Sequence, residues 1–204
     1  MRVLSVGVAA AISVMAVGAG AQDWEQSLPK KPFSAEYVVT VSGKAIQGMP
    51  TMKVATSERA LRVDFGAHVA IVQLRPGMAQ VSTLMVNDKT YTVQSLPYDS
   101  EDLEAYLFML TPPGGYEAAC EEEAVSCEKV GVEDVAGRQA EHWKVEDPTE
   151  GMMDSWIDSE LGILLMATGG DGSGIEARNI STAASPGSLF KVPGDYTLEG
   201  GEAW

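Results

Sequence analysis

The chain has 204 residues, 14 lysines and arginines against 29 aspartates and glutamates, and a formal net charge of −15. Hydrophobic residues make up 45% and charged residues 21%, which is globular and too apolar for an intrinsically disordered chain. The acidic balance argues against nucleic-acid binding and against electrostatic docking on an anionic membrane, since both need clustered cations.

The first 21 residues have the three parts of a secretory signal peptide. Arg2 supplies the positive charge, Val3 to Val17 is apolar, and Ala19-Gly20-Ala21 forms a small-residue cleavage site. The apolar stretch is too short for a membrane span, and no cysteine follows the cut to carry a lipid. We therefore expect an exported, periplasmic protein without a membrane span, in which residues 22–32 lead into the fold.

Residues 33–97 predict a run of strands joined by short turns. One face of the first strand carries Phe33, Ala35, Tyr37, Val39 and Val41, which alternate with mostly polar residues. Such period-two alternation is typical of a half-buried strand. Similar segments recur at Met52–Val54, Leu61–Phe65, Val69–Leu74, Val81–Val86 and Tyr91–Val93. Because no helix separates them, neighbouring strands should pair antiparallel.

One amphipathic helix is predicted to follow. Asp99 or Ser100 can cap it, and a proline- and glycine-rich stretch, residues 111–115, ends it. Leu103, Tyr106, Leu107 and Leu110 follow the i, i+3, i+4, i+7 spacing of a helix that packs on a sheet.

The second half returns to strands. Turns are predicted at Asp134–Gly137, Asp158–Gly162 and the glycine-rich stretch 169–174, with strands around Trp143, Ile157, Ile163–Met166 and Ile175–Ile180. We find no internal repeat and no composition break, so residues 33–198 are expected to form a single domain, with a tail at 199–204.

The chain has two cysteines, Cys120 and Cys127, both in the exported part. A disulfide between them would close a short local loop and contribute roughly 2–3 kcal/mol. No histidine or second cysteine pair lies at metal-ligand spacing, and Cys-x-x-Cys is absent, so neither a metal site nor a redox pair is expected.

No catalytic, phosphate-binding or cofactor motif is present, so the sequence favours a binding protein without cofactor or metal over an enzyme. If the chain were an enzyme, His142 and Asp154 would be the best candidates. A carboxylate pair of Asp154 and Asp158 and a calcium ion held by Asp171 are weaker alternatives. The methionines of the exported part suit either a core or an adaptable apolar pocket.

An ordered set of short segments resembles a known group of exported bacterial proteins. The segments are Phe33–Ala35, Arg59–Asp64, Ile71–Pro76, Asn87–Tyr91, Asp158–Gly162 and Leu189–Tyr196. In this order they resemble the LolA/LolB-like outer-membrane lipoprotein carriers, especially their uncharacterised relatives. The likeness spans roughly residues 33–196.

The resemblance implies a mainly β fold with one or two helices: a curved antiparallel sheet, an unclosed half-barrel, under a helical lid. We expect Tyr37, Val39, Val63 and Phe65 to face an apolar cavity opposite Leu103, Tyr106, Leu107 and Leu110. The implied partner is an acyl chain, a lipoprotein or another apolar ligand. The alternative is an envelope interaction or stress-sensing module, as in RseB, with no transport role and a self-filled interior.

Overall fold

The computed structural model describes residues 31–98, 100, 102, 103, 106, 126–147 and 151–199. The strands in them are β1 Ser34–Val41, β2 Lys44–Ala45, β3 Met52–Thr56, β4 Ala60–Phe65, β5 His68–Arg75, β6 Met78–Met85, β7 Thr90–Pro97, β8 Ser126–Val135, β9 Arg138–Asp147, β10 Gly151–Asp158, β11 Leu164–Gly169, β12 Ser173–Ser181 and β13 Thr197–Leu198. The signal peptide and the tail beyond residue 199 lie outside the described residues, so these predictions stay untested. Cys127 is disulfide-bonded, but Cys120, its predicted partner, lies outside the described residues, so the pairing stays a prediction.

All thirteen strands belong to one sheet. Its order is β13-β7-β6-β5-β4-β3-β1-β12-β11-β10-β9-β8, and β2 pairs only with the end of β1. Among the described residues the path does not close, because β8 and β13 stand at opposite ends. The predicted open β-sheet is confirmed.

Two features of the sheet differ from the prediction. The short β13 pairs parallel with β7, through Thr197 with Thr90 and Leu198 with Tyr91. The ten-residue β8 was not predicted at all. Its side chains are mostly exposed, so it lacks the apolar alternation by which a half-buried strand is recognised.

The hairpin turn between β8 and β9 lies at the end of the stretch predicted for it, Asp134–Gly137. Ala136 and Gly137, which join β8 to β9, both have positive φ, 53° and 74°. This left-handed backbone at two successive residues matches the twist of a tight hairpin. The β5–β6 turn likewise places Gly77 at φ 79°. Local chemistry therefore sets the strand ends.

The helical lid is not shown by the described residues. Asp102, Leu103 and Tyr106 have helical backbone, whereas Leu107 and Leu110 lie outside the described part. Within the described residues, the short 3-10 helix Gly187–Phe190 is the one helix for which both ends are defined. No helix in that part is long and apolar enough to cross a membrane.

The sheet curls around an inner apolar core. Side chains from strands far apart in the sheet pack in one cluster, including Phe33, Val54, Val72, Val81, Leu96, Leu165 and Ala177. Contacts between β1, β3–β7, β11 and β12 on a single cluster require a concave sheet. We call this side the inner face. Burial of these side chains is the main stabilising term of the fold.

The C-terminal segment, residues 186–198, packs on the opposite, outer face of β3–β7. Phe190, 4% exposed, is buried there against Ala55, Ala60, Val69, Ile71 and Leu84. Two polar side chains hold its backbone: Arg62 Nη1 donates to Leu189 O at 3.0 Å, and Gln73 Nε2 donates to Phe190 O at 3.0 Å. The segment then reaches β7 as β13.

A buried ion pair fixes the turn between β10 and β11. The Asp158 side chain is 1% exposed and accepts hydrogen bonds from the Arg138 guanidinium and from the backbone N–H groups of Glu160 and Leu161, at 2.9 and 2.7 Å. Burial alone would raise the pKa of Asp158, but Arg138 and these N–H groups outweigh it and hold the pKa below its usual range.

Candidate functional site

The strand registers place on the inner face the strand residues that were predicted to line a cavity, Tyr37, Val39, Val63 and Phe65. Tyr37 is opposite Met52 and Met52 opposite Phe65, while Val63 follows the same alternation on β4. Val39 lies two residues beyond Tyr37 on the same side of β1. The predicted residues of β1 and β4 therefore lie on one side of the sheet, joined through Met52 of β3. That they line a ligand cavity stays a prediction.

This face is buried at one end and open at the other. At the closed end, Leu61 on β4 is 1% exposed and its partner Val72 is fully buried. Farther along β4, Val63 is half-buried and Phe65 is 43% exposed. Val41, at the same end of β1, is 47% exposed. Apolar surface thus stays in contact with water at one end of the inner face.

The open end continues across the neighbouring strands. Phe65 is opposite His68, and His68 is opposite Met85, so one cross-strand row lies at the ends of β4, β5 and β6. Met52 and Met85 are half-buried, and His68 is exposed. We define the open end as Val41, Met52, Phe65, His68 and Met85. Methionine side chains adapt their shape to a variable partner.

Tyr37 belongs to the core between the two ends. It is 1% exposed, and its hydroxyl donates a hydrogen bond to Leu164 O at 2.9 Å. Burial raises the pKa of Tyr37 well above its usual value, and the nearby charge of Asp158 adds to the rise. The hydroxyl is already satisfied, so Tyr37 fixes β1 against β11.

The described residues of the predicted helix also contact this core. Leu103 is fully buried within the inner cluster, and Tyr106 is half-buried against it. Leu103 N–H donates to Ser100 O at 3.0 Å. These contacts bring two of the four predicted helix residues to the same cluster as Tyr37 and Val63.

His142 and Asp154, the candidates for an enzyme, lie close together on β9 and β10. His142 Nε2 is 2.7 Å from Asp154 Oδ1, and His142 Nδ1 is 3.0 Å from Glu133 Oε1. The ring stacks on Trp156 with centroids 4.4 Å apart. Each ring nitrogen therefore has a carboxylate partner within the protein. The cluster links β8, β9 and β10.

Glu133 ties this cluster together. Its second carboxylate oxygen accepts a hydrogen bond from Trp156 Nε1 at 3.1 Å. The hydrogen bonds of Trp156 and His142 hold the pKa of the Glu133 carboxyl below its usual range. Neither His142 nor Asp154 lines the two cavities described below.

The other acidic residues considered from sequence are engaged in structural contacts. Asp158 is held by Arg138, and Asp154 and Asp158 are four residues apart on one strand, roughly 13 Å, beyond the separation of glycosidase carboxylates. Asp171 accepts hydrogen bonds from Ser173 N and Oγ, at 2.8 and 2.6 Å. Within the described ranges, no three such side chains are placed to hold a metal ion.

Two clefts that the sequence did not predict lie on the outer face, beside the C-terminal segment. One, of about 330 Å³, is lined by residues of β1, β3 and β4 together with Leu189; the other, of about 280 Å³, lies between β5–β7 and Phe190. The first has a mixed lining that includes Glu36, Lys53 and Arg62. No sequence signal showed that a segment after residue 185 would return to β3–β7.

No protein-family model matches the chain, and no curated protein matches it. Solved structures do match. An uncharacterised conserved protein from Thermus thermophilus has a TM-score of 0.53 and 12% identity, over 86% of this chain and 93% of that chain. PNGF-II has a TM-score of 0.53 and 9% identity, over 84% of this chain; this chain spans about a third, 32%, of PNGF-II.

Two further solved structures match with lower TM-scores. They include MucB, with a TM-score of 0.46 and 16% identity, over 84% of this chain and 60% of that chain. An outer membrane lipoprotein-sorting protein domain from Vibrio parahaemolyticus matches with a TM-score of 0.32 and 9% identity, over 81% and 92%. At such identities the likeness concerns the fold alone.

Proposed function

We propose that this protein is an exported, periplasmic binding protein for an apolar ligand, an acyl chain or an acylated polypeptide. The observation that supports the proposal is the burial gradient of the inner face. Phe65 and Val41 keep 43% and 47% of their surface exposed on a face whose other end is a buried core. The signal peptide predicted over residues 1–21 supports the location.

The physical reason is the hydrophobic effect. Each acyl methylene moved from water onto this surface contributes about 0.8 kcal/mol, so a short length of chain is enough for useful affinity. The closed end is filled by the protein's own side chains, so the ligand would contact Val39, Val63 and Phe65. The face of Leu103, Tyr106, Leu107 and Leu110 would cover it.

Replacing Phe65 by aspartate is expected to weaken binding of an environment-sensitive apolar dye, or of a fatty acid, by about tenfold or more. The substitution removes apolar contact area and places a charge that must lose its hydration when the ligand binds. Fluorescence titration of the purified protein measures the change. Met78→Asp is the matched control, because Met78 is 44% exposed at the other end of β6.

Equal dye affinity of the Phe65→Asp and Met78→Asp proteins would contradict the proposed position of the site. Mass spectrometry of gently purified protein provides a second measurement, in which a bound lipid is expected. If no lipid is carried and no apolar dye is bound, the proposal of an apolar-ligand carrier is wrong.

A second candidate function is an envelope interaction module that carries no ligand. The observation that favours it is the filled end of the inner face, where Leu61, Val72 and Val81 are at most 1% exposed. A protein that purifies free of lipid, and whose stability is unchanged by added fatty acid, would favour this module over the carrier.

A further inference from the structure

Among the described strands, β8 forms the second edge of the sheet. Among the described strands β8 pairs only with β9, whereas β7 at the other edge is partly covered by β13. A β-bulge between Lys129 and Gly131 interrupts the β8–β9 pairing. We define the β8 edge as residues 130–135, the bulged residue and the regular stretch after it. Unpaired backbone groups along such an edge can accept a further strand.

The β8 edge exposes apolar side chains beside this unpaired backbone. Val130 is 45% exposed and Val132 is 56% exposed, the largest value among the exposed large hydrophobic residues of the described part. Solvent-exposed edges are commonly protected by a lysine, but Lys129 is turned back onto the sheet. Its Nζ is 2.8 Å from Glu141 Oε1 and 5.4 Å from the centre of the Trp143 ring.

The charge around the β8 edge is acidic. Glu128, Glu133 and Asp134 are exposed along the strand. Two of the nearby cations are paired within the protein, Lys129 with Glu141, and Arg138 at the start of β9 with Asp158 and Glu160. The exposed Lys144 lies opposite Glu128, so Asp134 is the stronger acidic contact for a basic partner. The net charge of the whole chain, −15, has the same sign. This field attracts a basic partner and repels a second copy of the chain.

We propose that the β8 edge binds an extended, basic segment of another polypeptide, which adds a strand to the sheet. Backbone hydrogen bonds supply affinity, as in other cases of β-strand addition. Contacts with Val130 and Val132 and attraction of lysine or arginine side chains by Glu128 and Asp134 supply selectivity. The site does not involve the open end of the inner face, so its failure and that of apolar-ligand binding are distinguishable.

The test is a titration of the full exported chain with a fluorescently labelled peptide of about nine residues that alternates lysine and valine. The same peptide with glutamate in place of lysine is the control. Fluorescence anisotropy is expected to show saturable binding of the basic peptide that weakens with added salt. No binding of the acidic peptide is expected.

Two variants locate the binding. Val132→Lys places a positive charge on the β8 edge, which repels the lysines of the basic peptide. This variant is expected to weaken binding of that peptide about tenfold. Val86→Lys makes the same change at a residue 40% exposed after β6, toward the other end of the sheet, and should weaken binding by less than about threefold. Both positions are exposed, so both proteins should fold, which circular dichroism checks.

Three results would overturn the proposal: equal affinity for the acidic and basic peptides, equal effects of the two variants, or no binding at all. Sedimentation velocity without peptide adds a fourth. A dimer of the protein that Val132→Lys dissociates would show that a second copy occupies the β8 edge instead of a basic segment.

Discussion

Replacing Asp158 by asparagine is expected to lower the free energy of unfolding by about 3 kcal/mol, because it breaks a buried ion pair from one side. The carboxylate is 1% exposed and is bound by Arg138 and two backbone N–H groups of the β10–β11 turn. Arg138 keeps 23% of its surface exposed and can regain some hydration, so the loss lies at the lower end for buried pairs. Urea denaturation measures it.

Glu160→Gln is the matched control for Asp158→Asn. Glu160 contacts the same guanidinium at 3.3 Å, but its side chain is 57% exposed. Exposed ion pairs contribute about 0–1 kcal/mol, so this variant should lose less than about 1 kcal/mol. If the two variants lose equal stability, the buried carboxylate is not what holds the turn.

The same carboxylate predicts an acid dependence of stability. Its pKa in the folded protein lies below the usual value, so the folded state binds the proton more weakly than the unfolded chain does. Its stabilising contribution is therefore complete above the unfolded pKa, near 3.9, and is lost as the pH falls below about 4. Unfolding curves of Asp158→Asn between about pH 2 and 5 should show a shallower fall than the original protein.

Replacing Phe190 by alanine is expected to cost about 3–5 kcal/mol, the range for removing a buried phenylalanine. Phe190 is 4% exposed and anchors the C-terminal segment among Ala55, Ala60 and Ile71 on the outer face. Loss of this anchor should also release β13 from β7. Thermal unfolding gives the stability, and hydrogen exchange at Thr197 and Leu198 gives the release.

Leu189→Ala tests whether the effect is specific to the anchor. Leu189 precedes Phe190 but is only half-buried, so its truncation should cost less than half as much. Hydrogen exchange at β13 should then stay near that of the original protein. Rapid exchange at Thr197 in both variants, with equal loss of stability, would show that the segment has no dominant anchor.

The side of the sheet on which the predicted residues of β1 and β4 lie was predictable, because strand alternation is a local property. The period-two pattern of β1 and β4 placed Tyr37, Val39, Val63 and Phe65 on one face before any pairing was known. The degree of burial was not predictable from the same pattern. Phe65 is 43% exposed whereas Tyr37 is 1% exposed, because exposure depends on which strands curl over each residue.

The antiparallel strands and their turns follow from local sequence, because apolar alternation and residues such as Gly77 and Gly137 act over a few neighbours. Three features became visible only in the folded chain: the exposed edge strand β8, the return of residues 186–198 to the outer face, and the parallel β13. These features depend on contacts between residues distant in the chain. No local pattern encodes such contacts. The side chains of β8 are mostly in water, and those of residues 186–198 meet their partners only after the sheet has curled.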